Sequence, residues 1–225
     1  MTKRELLSAV PFFSDLGEDA LATLESYMGL RKFRRGQPIF CQGDSGDSLF
    51  LVASGRIKLF IENSDGEQLT ILFCGPGSCF GEMAVLDGKT RSASAEALEP
   101  TEAWVVTRNA FLDLMRRDPG IPIKVISFLC SKLRTDLSRM EEFIFLDTHN
   151  RVGRQLVRMA TKNASGDYAV LITQEELARF VGNSREQVNR VLSDLSSIGH
   201  ISIGRGHLII NRLEAMRRIF CKSDA

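Results

Sequence analysis

Eight residues in two short stretches carry the most specific chemistry in this 225-residue chain: Phe80-Gly81-Glu82-Met83-Ala84 and, seven positions on, Arg91-Ser92-Ala93. Gly81 lets the backbone come close to a ligand. Glu82 to Leu86 can form one helical turn whose free N–H groups and positive dipole end suit a phosphate. Arg91 adds a charged fork for the same anion. A carboxylate beside that arginine would repel a bare phosphate, so Glu82 makes sense only as acceptor for a sugar hydroxyl. One ligand must then present both an anion and a ribose-like hydroxyl.

A bare Gly-Glu with an arginine nearby would read as a surface turn, but the full pattern resembles the phosphate-binding cassette of cyclic-nucleotide-binding domains, F-G-E-(L/M)-A followed by R-(S/T/A)-A. The resemblance implies that Glu82 holds the ribose 2′-hydroxyl, Arg91 the cyclic phosphate, and Ser92 the phosphate or the purine edge.

The elements that must position these residues follow from hydrophobic spacing. Leu16, Leu21, Leu24 and Met28 recur at helical intervals, so a short amphipathic helix opens the protein. From Gln37 onward, short alternating runs (38–41, 48–52, 56–61, 68–73, 93–97 and 102–106) are separated by turn sequences such as Ser54-Gly55 and Asp65-Gly66, which predicts antiparallel strands. Strands so spaced imply a closed or rolled sheet. The family resemblance sharpens this to a β-roll of the double-stranded β-helix or jelly-roll type, with the cassette between two strands.

After a short helix from Asn109 to Arg116, the run from about Ile121 to Asp147 is helical and far longer than the ~11-residue average. Ile126, Cys130, Leu133, Leu137, Met140 and Ile144 are spaced 4, 3, 4, 3, 4, a heptad seam that predicts a partner helix. Packing against its own β-roll is the alternative; the flanking charges Lys132, Arg134, Asp136, Arg139, Glu141 and Glu142 favour a homodimer.

Phe145-Leu146-Asp147-Thr148-His149-Asn150-Arg151 then resembles the hinge F-L-D-x-x-x-R of the cyclic-AMP receptor protein family. In that family's cyclic-AMP receptor, a Thr-Ser pair eleven and ten residues before the hinge Asp contacts adenine. Here those slots hold Asp136 and Leu137, with Lys132 one turn earlier. Guanine offers two adjacent donors that match a carboxylate, so Asp136 admits cyclic GMP alongside cyclic AMP, unless it points into water beside Lys132 or Arg139.

Two capping boxes follow, Thr173-Gln174-Glu175-Glu176 and Ser184-Arg185-Glu186-Gln187. Two capped helices joined through Val181-Gly182-Asn183 form a helix-turn-helix. Val188, Leu192 and Leu195 face its core, leaving Arg185, Glu186, Asn189, Arg190 and Ser193 outside as base-edge hydrogen-bonding groups. Glu186 and Arg190 alone could be a surface i,i+4 pair. The whole motif T-Q-E-E-L-A…V-G-x-S-R-E-x-V-N-R-x-L, however, resembles the DNA-binding helices of the same family. Thr173 and Gln174 are expected on phosphates. Ile201 to Ile210 is expected as a wing hairpin whose Arg205 reaches a backbone phosphate.

The bulk properties agree. Residues 148–225 carry 12 Lys and Arg against 7 Asp and Glu, a surplus of five, whereas residues 1–147 carry 17 against 21; the basic third is where an acidic polymer would bind, if it is not merely a solvated surface. No apolar run approaches a membrane span, and a cytoplasmic location is expected. Cys41, Cys74, Cys79, Cys130 and Cys221 show no zinc spacing with the three histidines; most read as small buried residues, with a Cys74–Cys79 redox pair as the minor alternative.

The resulting expectation is an α+β regulator: a cyclic-nucleotide-binding β-roll at 1–118, a dimerisation helix and hinge at 119–147, and a winged helix-turn-helix at 148–225. Its partners are a two-fold symmetric DNA site, a second copy and RNA polymerase, with no cofactor or metal. The rivals are a regulator of the same fold answering to redox, haem or no ligand, and an enzyme using Cys79 or Glu82 near Arg91. No nucleophile–histidine spacing or phosphate loop supports the enzyme.

Overall fold

The computed structural model describes residues 2–14, 16–163, 165–204 and 206–221, and divides into two compact units, Met1–Arg134 and Thr135–Ala225. The first opens on a helix that the sequence reading did not anticipate. In α1 (Lys3–Ala9) the Thr2 hydroxyl accepts from the Glu5 amide while the Glu5 carboxylate accepts from the Thr2 amide. The amphipathic segment after Leu16 is therefore the second helix, α2 (Glu18–Tyr27), which buries Leu21 and Leu24.

Eight strands follow: β1 (Gly29–Phe33), β2 (Pro38–Phe40), β3 (Ser48–Ser54), β4 (Ile57–Glu62), β5 (Gln68–Cys74), β6 (Cys79–Phe80), β7 (Ser94–Ala97) and β8 (Thr101–Thr107), with α3 (Glu82–Asp87) between β6 and β7. They form two antiparallel sheets, β1-β8-β3-β6 and β2-β7-β4-β5. Between them lies a core of Phe33, Phe50, Val52, Ile57, Cys74, Phe80, Ala95, Ala97, Ala103 and Val105. This is the expected roll.

β3 shows why an apolar run without alternation is still a strand here. Phe50 and Val52 face the core between the sheets, while Leu49 and Leu51 join a second core against α1, α2 and later helices. A strand with two apolar neighbours has no polar face. Two strands escaped the sequence reading for opposite reasons. β1 is an edge with only Phe33 buried, so it shows no alternation, and β6 is two residues long.

α4 (Arg108–Arg117) is capped by Thr107 and ends at Asp118, before Pro119. The long helix α5 (Gly120–Phe145) begins with Pro122 in its first turn, where a missing N–H costs nothing. Ile121 and Val125 are buried in the helical core, with Phe128 and Leu129 packed against it. The seam lies on another face: Ile126, Leu133, Leu137, Met140 and Ile144 are between 59% and 69% exposed, and Cys130 is exposed too. Within the first unit, then, Ile126, Cys130 and Leu133 are not covered by the roll.

The second unit contains the end of α5, then α6 (Thr148–Met159), β9 (Thr161–Lys162), β10 (Tyr168–Val170), α7 (Gln174–Val181), α8 (Arg185–Ser197), β11 (Ile201–Ile203), β12 (Leu208–Ile210) and α9 (Leu213–Phe220). Asp147 caps α6 by accepting from the Asn150 amide at 2.8 Å. β11 and β12 are the expected wing, but they belong to a four-stranded sheet, β11-β12-β10-β9. Its two short strands, like α9, were not foreseen. Among the described residues no helix is long and apolar enough to cross a membrane, and no group of three or more His, Cys, Asp or Glu could hold a metal ion.

Candidate ligand cradle and nucleic-acid interface

The cradle is built where β6 meets α3. The chain turns at Gly81 with φ of +77°, and a Cβ there would lie 2.8 Å from Arg91 Nη1. Glycine is therefore required twice, by the left-handed backbone and by the approach of the arginine. On the other side, a Cβ on Gly46 would sit 2.1 Å from the Cβ of Ala84, so the loop before β3 holds α3 at backbone contact. Phe80 anchors the turn from below, stacked on Phe50 with ring centroids 5.0 Å apart.

Glu82 is buried, and its Oε1 lies 2.7 Å from Nζ of Lys132, which reaches it from α5. Burial opposes the charge on Lys132, but the attraction and hydrogen bond of Glu82 outweigh it and raise the ammonium pKa. A carboxylate has about four acceptor positions, so one lysine leaves room for a hydroxyl. Arg91 is only 5% exposed. It donates from Nη1 to the Gly81 carbonyl and from Nη2 to the Ser48 carbonyl, both at 2.8 Å, and its guanidinium lies 4.2 Å from the centroid of the Phe40 ring. Its Nε is buried with no protein partner. Burial lowers the pKa of Arg91, with Asp47, Asp44 and Glu82 pulling the other way.

Met83 and Ser92 are exposed at the rim, the Ser92 hydroxyl 3.7 Å from the Met83 sulfur, and Ala93 is half-buried. Phe80 excepted, the expected cassette residues and Lys132 line one cavity together with Phe40 and Leu59. That cavity holds about 50 Å³, small beside the ~300–1,000 Å³ of ordinary small-molecule pockets, so side chains must move to admit a nucleotide. Phe40, Ser48 and Asp47 were not singled out from the sequence; no local pattern marks a carbonyl or a ring as the seat of a distant arginine.

Asp136 is exposed, in the neighbourhood of Arg139, whose charge it supports. Leu137 is exposed within the seam. The Cys74–Cys79 alternative loses its chemistry: burial pushes the Cys74 thiol up to about 12, and burial together with Glu82 holds Cys79 well above its ordinary value. Thiolates are the reactive form, and both environments hold these thiols in the neutral one.

The second surface is open. Thr173 and Glu176 form the complete capping box of α7, and Gly182 ends that helix in the left-handed region. The Asn183 side-chain Nδ2 donates to the Thr148 hydroxyl at 2.7 Å, fixing the turn on α6. Of the second box the structure forms the Ser184 arm, which accepts from the Gln187 amide. Val188, Val191, Leu192 and Leu195 are buried, while Arg185, Glu186, Arg190 and Ser193 are exposed.

Asn189 corrects the expectation. It is half-buried with Oδ1 shut away and no hydrogen-bond partner, because it sits on the flank of α8 rather than its crest. Glu186 and Arg190 approach to 3.5 Å at 86% and 73% side-chain exposure, a contact too exposed to hold either side chain firmly. Exposed Thr173, half-buried Gln174 and Arg185 share a groove of about 350 Å³ with the wing residues Gly204, Gly206 and His207. Arg205 lies outside the described residues. His207 was missed: its ring packs so tightly on Gly204 that a Cβ there would be 2.3 Å away.

Comparison with known proteins divides the chain in the same way. Residues 30–118 match the cyclic nucleotide-binding domain, and residues 150–219 match the Crp-like helix-turn-helix domain. The chain is 35% identical over 209 residues to the cyclic AMP receptor protein of Thermus thermophilus, covering 93% of this chain and 96% of that protein. It is 29% identical over 219 residues to the CRP-like cAMP-activated global transcriptional regulator of Mycobacterium tuberculosis, covering 95% and 98%. The crystal structure of the Thermus thermophilus catabolite activator protein superposes with a TM-score of 0.55 at 34% identity, over 94% of this chain and 99% of that one.

Proposed function

The chain belongs to the CRP/FNR family of bacterial transcription regulators, cyclic-nucleotide-binding proteins with a Crp-like helix-turn-helix, and we propose that it acts as a homodimer whose affinity for a two-fold symmetric DNA site is set by a cyclic nucleotide. The observation that carries this reading is the bond from Lys132 to Glu82. The carboxylate suited to a ribose hydroxyl is held by the helix that presents the exposed seam, so a ligand that claims Glu82 also acts on that helix.

In functional terms residues 1–118 take the ligand, 119–147 pair and 148–225 read DNA, with Arg185, Glu186 and Arg190 on base edges, Thr173, Gln174 and Arg205 on phosphates, and half-sites about one turn, ~34 Å, apart. RNA polymerase is the protein partner that such a cytoplasmic regulator engages once on DNA.

Cyclic AMP is favoured as ligand by the names of the two relatives; cyclic GMP is the second reading, favoured by the exposed carboxylate of Asp136 in place of a hydroxyl. The deciding experiment is titration of a fluorescent operator duplex with no nucleotide, with cyclic AMP and with cyclic GMP, repeated for Asp136→Ala. Tightening of at least tenfold by one nucleotide is expected, and equal affinity in all three conditions refutes the ligand assignment. Unchanged discrimination in Asp136→Ala removes the cyclic GMP reading.

The dimer has its own test. Core positions of a parallel coil face their counterparts, so Cys130 should form a disulfide with a second copy under mild oxidant in a Cys41→Ser background. A chain that stays monomeric at micromolar concentration contradicts the reading.

A further inference from the structure

We propose that Glu142 is a positioning residue for DNA recognition: with Arg158 and Arg154 it clamps α6 to the end of α5 and so sets how strongly a bound nucleotide changes operator affinity. This rests on the function proposed above and adds the part within the DNA-reading unit on which that coupling depends.

The last turns of α5 have two unlike faces. Leu137, Met140 and Ile144 form the exposed seam, whereas Arg139, Glu142 and Phe143, at helical spacing i, i+3, i+4, each meet a different group of the DNA-reading unit. Arg139 lies 5.4 Å from the ring centroid of Phe180 in α7. Phe143 carries Arg151 of α6 at 5.2 Å. Glu142 takes the fork of Arg158 on both its oxygens, at 2.6 and 2.9 Å, and Nη1 of Arg154 at 3.2 Å.

A bidentate carboxylate–guanidinium pair has one geometry; here Glu142 is 14% exposed and Arg158 38%, and the single contact from Arg154, itself 12% exposed, closes the inner side. Arg154 extends the chain of contacts by donating Nε to the Phe220 carbonyl of α9 at 2.6 Å. There Gly153 admits the Phe220 ring so closely that a Cβ would be 2.4 Å from it. α6 also packs on α7 and α8, so it is the base on which the recognition helix stands.

Arg139, Arg154 and Arg158 gather around Glu142; Asp136 supports the charge of Arg139 from the solvent side, while Arg139 and Arg158 repel each other. Removing the carboxylate therefore turns an attraction into repulsion, while the cores of α7 and α8 stay intact. Sheltered ion pairs add little net stability to a fold, which makes geometry the better explanation for a cluster of this cost.

The test uses the full chain and the variants Glu142→Gln, Arg158→Gln, the double variant, and Arg158→Lys, which keeps the charge but loses the fork. Calorimetry gives nucleotide affinity, fluorescence titration gives operator and random-duplex affinity with and without nucleotide, and melting confirms folding. Both Gln variants are expected to lose at least tenfold of the nucleotide-induced gain in operator affinity and to bind nucleotide and random duplex within twofold of wild type. The double variant should be no worse than either single one, and Arg158→Lys intermediate.

A full gain in Glu142→Gln, or losses that multiply in the double variant, overturns the clamp. If Glu142→Gln does not fold, the two Arg158 variants decide by the same criteria. A wild type indifferent to every nucleotide would instead refute the proposed function; the clamp is then judged by the operator-to-random affinity ratio, and an unchanged ratio in Glu142→Gln overturns it.

Discussion

The ligand cradle and the DNA-reading face use the same residue types in opposite ways. In the cradle, Glu82 and Arg91 are buried and already engaged, one by Lys132 and the other by the carbonyls of Gly81 and Ser48. On α8, Glu186 and Arg190 stand in solvent with only each other, at 3.5 Å. Charges in the first place belong to the fold as well as to the ligand, which shares them with bonds the protein already makes. Charges in the second are held in reserve. A substitution in the cradle should therefore cost stability and binding together, and one on α8 should cost binding alone.

The strongest test of that contrast is Arg91→Ala. It takes the Arg91 donors from two carbonyls, at ~1–3 kcal/mol each, so chemical denaturation should show a loss of about 2–6 kcal/mol, and calorimetry no nucleotide binding. Wild-type stability would break the comparison. Next comes Lys132→Met, which leaves a buried carboxylate without its counter-charge. Breaking a fully buried pair costs ~3–5 kcal/mol, but the lysine is partly in solvent, so about 1–3 kcal/mol is expected in the same denaturation.

Arg185→Ala should leave unfolding within ~0.5 kcal/mol of wild type while costing ~1–3 kcal/mol of operator affinity at one base position in each half-site. Uniform weakening across all duplex sequences would place Arg185 on phosphate instead. The smallest effect belongs to Glu186→Gln, which loses an exposed i,i+4 pair worth no more than ~0.5 kcal/mol of stability. A larger loss would mean that the face is less open than its exposure says.

What could be read from the chain before any coordinates follows the range of the interactions. The cassette turn, the caps at Thr173 and Ser184, the heptad seam and most strands are local patterns, and each lies where its spacing puts it. The edge strand β1 was invisible because an edge with one buried residue has no periodicity to show, and α1 because it holds only two buried leucines, Leu6 and Leu7, in sequence.

The site was legible in its residues but not in their partnerships. Lys132 stood among the candidates, yet nothing local announces that it would meet Glu82 fifty positions away, or that Arg91 would be seated on the Ser48 carbonyl forty-three positions away. Asn189 faces outward by spacing yet is half-buried, because burial on the flank of a helix depends on neighbouring elements that periodicity does not report.

One consequence of β3 reaches beyond both sites. Its alternate side chains serve as the common wall of two hydrophobic interiors, one inside the roll and one beneath the helices. Neither interior can melt while the other stays whole, so the amides of Leu49 through Val52 should exchange with solvent only when the entire first unit opens, and all at a single rate-limiting free energy.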